Sequence, residues 1–286
     1  MQVALSGDAL FSQVLMQRQV DKRLFLLVEG NDEVSILTGH IEERNLALVA
    51  FGGGKRALLR AGELLHTNGL THTLVLVDRD LDDLTGKSGL YPPTVVATNG
   101  YDLVGDVIVT HPHLLRRAVQ SHGGAVVSTI GSSSNGNVSE ITFRLAMALA
   151  ILRLINEELD LGLKLRNFPF RDILNPDFTV KDFAEILDRA NNRSPVVVQL
   201  DDIRHLLTSA VNRINEDPRH CGGHDILGAA AAVLRQGGAR GVGSDQLAAS
   251  INTAASCTTM MRLSIYSNIE NWAAQWSVMA FDCLQV

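Results

Sequence analysis

Cysteine is scarce in this chain of 286 residues: Cys221, Cys257 and Cys283 are odd in number and lack paired spacing. That excludes a small disulfide-stapled framework and predicts a reducing, cytoplasmic setting. Long apolar runs are missing too. The best helical stretch, Leu145 to Ile155, is broken by Arg153 and falls short of the roughly 20 apolar residues that a membrane span needs. Met1 to Asp8 lack a basic segment followed by an apolar one, so no secretory leader is expected. There is no basic excess: 25 Lys and Arg against 31 Asp and Glu give a formal net charge of −6. This excludes a passive nucleic-acid coat but not an enzyme that meets nucleic acid in a local cleft. A nucleotide P-loop is absent as well. Gly52-Gly53-Gly54-Lys55 and Gly86-Lys87-Ser88 both fail its spacing, the latter because position 81 is Leu. ATP hydrolysis by this chain is therefore excluded, and any energy coupling must come from a partner.

What is present is a sizeable apolar content, 46%, with 20% charged residues, the composition of a globular chain with a real core. Two apolar runs end abruptly in carboxylates: Leu24-Phe25-Leu26-Leu27-Val28-Glu29-Gly30 and Leu74-Val75-Leu76-Val77-Asp78-Arg79-Asp80. Around them the pattern alternates. A helix is predicted over 9–20, strand 24–28, helix 31–44, strand 46–51, a glycine loop at 52–54, helix 55–66, strand 73–77 and a last strand near 94–97. Alternating β and α segments with short loops predict an α/β fold with a mostly parallel sheet, so both acidic ends lie on one edge. Ser121 to Ser139, rich in Gly, Ser and Asn, reads as a linker. Beyond it the periodicity is helical, near 139–159, 179–189, 200–215, 224–235, 244–254 and 259–281. The expected organisation is an α/β domain over 1–120, a linker over 121–138 and a mainly helical domain over 139–286.

Asp78 and Asp80, two apart in an extended strand, would point to one side and share a cation. Carboxylates are the hard ligands that Mg²⁺ or Mn²⁺ prefer. Glu29, at the neighbouring strand end, would be a further ligand or a general acid/base. Asp82 would complete a second-metal site, or else be a solvated loop charge, as Asp83 would. Asp32 and Glu33 fall in a first helical turn, where they favour the helix dipole. Lys55, behind three glycines at a helix start, would contact a substrate phosphate or be a solvated helix start. Asp102 or Asp106, after the last strand, would come to the same edge.

The order Glu-Gly after one strand, a βα unit, then Asp-X-Asp after another resembles the Toprim family of topoisomerases, primases, recombination proteins and OLD-type nucleases. Glu29-Gly30 and Asp78-Arg79-Asp80 carry the resemblance, which covers residues 20 to 110, with Asp82 at a later acidic position. It implies a metal-dependent nuclease acting on DNA or RNA. More loosely the chain is similar to stand-alone Toprim effectors of bacterial anti-phage systems, which implies an ATPase partner. There His224-Asp225, within Cys221-Gly222-Gly223-His224-Asp225-Ile226-Leu227, would be a functional pair, or Asp225 would cap a helix. Those relatives place an acidic residue where this chain has Val104. With only Tyr91, Tyr101 and Tyr266, no tyrosine stands out as the nucleophile of a topoisomerase. His220, Cys221 and His224 lack a fourth ligand for structural zinc.

Two other function classes remain. A haloacid-dehalogenase-like phosphatase also uses Asp-X-Asp after a strand, but gives Glu29-Gly30 no role. A non-catalytic regulatory or binding subunit would keep the fold without cutting. Trp272, Trp276 and Phe281 offer a face for a homodimer, or else belong to the core.

Overall fold

The structure, a computed structural model, describes residues 6–133 and 136–283. Most of the stretch read for a leader, and Ser134 and Asn135 of the predicted linker, lie outside the described residues. Four strands, β1 Leu24–Val28, β2 Leu46–Ala50, β3 Thr73–Val77 and β4 Val95–Ala97, form one sheet in the order β2-β1-β3-β4 with every pair parallel. All five residues of β1 and of β3 are buried, whereas β2 runs out to an exposed Ala50. Uninterrupted apolar runs mark strands covered on both faces, and a parallel sheet places them at its centre.

Before residue 111 the helices that accompany these strands are α1 Gly7–Val20, α2 Asn31–Leu37, α3 Gly54–Thr67, α4 Asp82–Thr85 and α5 Leu103–Thr110. Ser6 caps α1 by accepting from the Ala9 amide. Helix α2 is half the predicted length, and the chain turns after Leu37 to form an isolated bridge at Ile41. One apolar core joins Leu10 and Val14 of α1 and Leu58 and Leu65 of α3 to Phe25, Leu27, Val75 and Val77 of the central strands. Gly62 is the point of closest approach: a Cβ there would meet Val95 Cγ2 at 2.4 Å, while the Gly62 carbonyl accepts from Thr94 Oγ1 at 2.6 Å. Gly62→Ala is accordingly expected to lower stability by about 1–2 kcal/mol in urea unfolding. The overpacking penalty of roughly 1–3 kcal/mol against a χ1-stiff valine exceeds the ~1 kcal/mol that alanine adds as a helix former. An unchanged midpoint would refute this packing.

The chain divides into two compact units, and the second holds residues 111–254. Its helices are α6 Pro112–Ser133, α7 Val138–Glu158, α8 Phe183–Asn191, α9 Leu200–Ile214, α10 Gly223–Gln236 and α11 Ser244–Ala254. At its centre α10 is buried almost all round, from Ile226 to Leu234, and packs on α7. The predicted linker over 121–138 is corrected here, since most of it is the second half of α6, bent at Gly123. Gly123 serves contact rather than freedom: a Cβ on it would meet Leu234 Cδ2 at 2.7 Å. Asn137 caps α7 reciprocally with Glu140. Arg153, the charge that interrupts the apolar run, forms a two-pronged ion pair with buried Asp225 at 2.7 and 3.0 Å.

From Ala255 the chain belongs again to the unit that holds the sheet, which corrects the predicted 139–286 domain. In place of one helix over 259–281 there are α12 Cys257–Met260 and α13 Ser264–Ala274. Phe281 then bridges to Ile41 in antiparallel fashion. Trp272 is buried and donates to the Thr71 carbonyl at 2.8 Å; Trp276 stacks on His72; Phe281 is fully buried against Tyr266. Trp272 and Phe281 are therefore core of this unit, while Trp276 is half-buried. The expectation of unpaired cysteines also fails, because this return brings Cys257 and Cys283 together as a disulfide with Cα atoms 5.1 Å apart. Cys221 is a buried thiol outside it. No described helix is long and apolar enough to cross a membrane.

Candidate active site

The chain runs from β1 out to β2, then returns past β1 to lay down β3 on its other side. Such a reversal opens a crevice beyond the carboxyl ends of the two central strands. Leu27 pairs with Val75, so Glu29, two residues on, and Asp78, three residues on, leave adjacent strands at nearly the same level. Both acidic ends therefore leave the sheet on one edge.

Glu29 is half-buried and faces the glycine loop. Gly54 has φ +75°, and a Cβ built on it would sit 4.0 Å from Glu29 Oε1. Glycine both permits that left-handed backbone and leaves the space beside Glu29 open. Gly30, the next residue, donates its N–H to Glu33 Oε2 at 2.9 Å, closing the N-terminus of α2. Glu33 thus has the helix-start role expected of it.

Asp78 is strongly perturbed. Its Oδ1 is fully buried and has no hydrogen-bond partner. Burial first, then the negative charges of Asp102, Glu33, Asp80 and Glu29, push its carboxyl up to about 9. Asp102 accepts from the Gly105 N–H at 2.6 Å at the start of α5, and Asp106 accepts from the Asn99 and Gly100 amides at 2.7 and 2.6 Å. Asp102 therefore adds to the field on Asp78, while Asp106 ties down the loop after β4.

Asp80 departs from the sequence-based expectation. Strand β3 ends at Val77, and Asp80 takes a left-handed φ of 54° while its N–H donates to the Tyr101 carbonyl at 2.7 Å. Asp80 therefore does not share an extended-strand face with Asp78, because the backbone has already turned. Lys55 Nζ instead donates to Asp80 Oδ2 at 2.9 Å and to the Arg79 carbonyl at 2.9 Å, and is ion-paired with Asp82 Oδ2 at 2.6 Å.

Asp82 is buried, which corrects the reading of it as a solvated loop charge. Besides Lys55 it accepts from the Tyr91 hydroxyl at 2.5 Å. Burial and this bonded carboxylate raise the Tyr91 phenol well above its usual range. Tyr91 is a site neighbour that sequence reasoning missed, since nothing local to residues 88–93 marks it. Arg79 reaches the other way. Its Nε donates to the Thr98 carbonyl at 2.6 Å and its Nη1 grips both oxygens of Asp83 at 2.7 and 2.9 Å.

The donor set fits a hard divalent cation in kind: a buried, unpartnered carboxylate oxygen on Asp78 within the field of four further carboxylates. In spacing it is looser. Among the described residues no three carboxylates gather oxygens within 4.8 Å of one another; the one His/Cys/Asp/Glu group that does is His40, Cys257 and Cys283. Glu29 and Asp78 are the residues that would hold Mg²⁺ or Mn²⁺, with Asp80 available only by exchanging Lys55. The later motif residues lie in the other unit. His224 lines a cavity of about 500 Å³ with Arg171, Arg235 and Asp245, while Asp225 is neutralised by Arg153 and is not the helix cap, which is Gly222.

No protein-family model matches the sequence, and no curated protein matches it.

Proposed function

We propose that this chain is a metal-dependent nuclease of Toprim type, cutting DNA or RNA phosphodiesters at the edge formed by Glu29 and Asp78. The observation that carries this reading is the buried, unpartnered Asp78 Oδ1 at the switch point of a parallel sheet, beside Glu29. A carboxyl in that state keeps its proton unless a cation replaces it, and the open position over Gly54 gives a substrate room beside it. A bound Mg²⁺ or Mn²⁺ would supply counter-charge for the phosphoryl oxygens and an acidified water. Glu29 would accept a proton from the attacking water or hold the cation. Lys55 positions Asp80 and Asp82 and offers its charge to the same edge. At the start of α3 the Gly52 and Gly54 amides would be the ones to meet a substrate phosphate, since the Gly53 N–H is taken by the Phe51 carbonyl at 2.8 Å. By the looser resemblance, the chain would work in the cytoplasm as the effector of an ATPase-controlled anti-phage system.

The test is cleavage of plasmid DNA, single-stranded DNA and a tRNA pool by the purified chain with Mg²⁺, Mn²⁺ or EDTA, beside Glu29→Gln and Asp78→Ala. The expected result is metal-dependent cutting of one substrate class, lowered at least ~10³-fold in both variants, as for loss of a group acting directly on the transition state. Cutting that survives both substitutions would overturn the reading. No cutting of any substrate, even with an added ATPase partner, would favour the binding-only subunit.

A further inference from the structure

Away from the acidic edge, His40 Nδ1, Cys257 Sγ and Cys283 Sγ lie within 4.8 Å of one another. The nitrogen is 3.7 Å from one sulfur and 3.8 Å from the other. A disulfide has no proton to donate and no use for an imidazole set equally near both its sulfurs, whereas two thiolates and an imidazole are a metal-ligand set. In a tetrahedral zinc site, Zn–S of about 2.3 Å and Zn–N of about 2.1 Å put nitrogen and sulfur roughly 3.6 Å apart. The observed separations meet that edge length within a few tenths of an ångström. Reduction frees the sulfurs to part by side-chain rotation to the similar edge between them.

The surroundings agree. His40 also hydrogen-bonds the Ala255 backbone. With Nδ1 turned to the sulfurs, that bond falls to Nε2–H, and a backbone carbonyl on the far nitrogen is the usual way a ligating histidine is oriented. His40 and Cys283 are buried and Cys257 is half-buried. The three segments are already fastened to one another: the Asp282 N–H donates to the His40 carbonyl at 2.8 Å, the Glu42 N–H to the Ala280 carbonyl at 2.8 Å, and Ile41 bridges Phe281. Little ordering remains for a cation to impose.

We propose that, when its cysteines are reduced, the protein binds one zinc-class divalent cation through His40, Cys257 and Cys283, with the fourth position left to solvent. Thiolate ligands select against Mg²⁺, so this site and the acidic edge take different metals. A thiol reductant gives two electrons and two protons to the disulfide and is itself oxidised to a disulfide. Cation binding then releases the two thiol protons. Oxidation restores the S–S bond and expels the cation, so metal occupancy and disulfide exclude each other.

The experiment uses the full chain, reduced and freed of reductant, titrated with Co²⁺ and, separately, weighed by native mass spectrometry with Zn²⁺. The expected result is thiolate-to-cobalt charge-transfer absorption saturating at one ion per chain, and a mass gain of one zinc less two protons. Both should vanish when the same sample is oxidised with diamide. Binding should weaken more than about tenfold in His40→Ala and in Cys283→Ser. Cobalt held by carboxylates gives no charge-transfer band, so the acidic edge cannot imitate the signal. Reduced wild-type protein that takes up no stoichiometric zinc, or a cobalt band unchanged by Cys283→Ser, would overturn the proposal. If the variants do not fold, the reduced and oxidised wild-type samples decide it by themselves.

Discussion

Asp78→Asn is expected to stabilise the metal-free protein while abolishing cation binding at the acidic edge. The wild-type carboxyl, held up to about 9 by burial and by Asp102, Glu33, Asp80 and Glu29, must keep its proton in the folded state, whereas the unfolded chain ionises near 3.8. The unfolded state thus binds fewer protons between those values, and wild-type stability falls as pH rises. The contribution is fully present below the unfolded value and is lost progressively toward 9. Asparagine carries no such penalty. Its advantage should be nil below about pH 4, grow by about 1.4 kcal/mol per pH unit, and approach ~4 kcal/mol at pH 7. Thermal melts in EDTA across that range measure it. Added Mn²⁺ should raise the wild-type melting temperature and leave the variant unmoved, closing or reversing the gap. An asparagine variant that melts at or below wild type at every pH would show that Asp78 is not under charge stress, and the argument for a cation there would lose its foundation.

Lys55→Met is expected to act in the opposite direction. Methionine keeps most of the apolar stem but removes the one ammonium that serves Asp80, Asp82 and the Arg79 carbonyl together. The Asp82 side chain is only 8% exposed, so its charge cannot recover its hydration where it stands. Stripping one partner from a buried ion pair costs about 3–5 kcal/mol, far above the value of a surface pair. Urea unfolding of Lys55→Met should show a loss of that size. Lys55→Met with Asp82→Asn should recover a large part, because the second change removes the stranded charge while the Tyr91 hydroxyl keeps an acceptor. Strictly additive losses would mean that Lys55 and Asp82 do not depend on each other, and that Lys55 is free to serve a phosphate instead.

The two predictions have opposite signs for one physical reason. Asp82 has its counter-charge built into the protein and Asp78 does not. A site that carries its own cation beside one carboxylate and leaves the next unpartnered is divided between a structural half and a half that calls for a ligand.

How much of this could be read in advance follows from range. The four strands, their parallel arrangement and the meeting of Glu29 with Asp78 at one edge were legible because uninterrupted apolar runs, short loops and right-handed crossovers are local or nearly local properties. The first-turn position of Glu33 was legible for the same reason, although its bond to the Gly30 N–H was not part of that reading. The α/β class and the helical content of the later part came from periodicity alone.

Other features depended on neighbours far along the chain. Gly123 and its companions read as a linker because glycine signals freedom locally; only the side chain of Leu234 reveals that it is there to let a helix pass close. Lys55 and Asp82 are paired across 27 positions, and Tyr91 joins them only after a turn that no local pattern announces. The break of the last helix at Leu263 and the return of Phe281 to Ile41 put Cys257, Cys283 and His40 together, although His40 and Cys257 lie 217 residues apart. Composition and periodicity determined the scaffold and the acidic edge, since backbone hydrogen bonding and burial act over a few residues. The tertiary structure decided which charges are neutralised and which are stranded, because electrostatic energy depends on distance in space and on burial, and neither is written in sequence spacing.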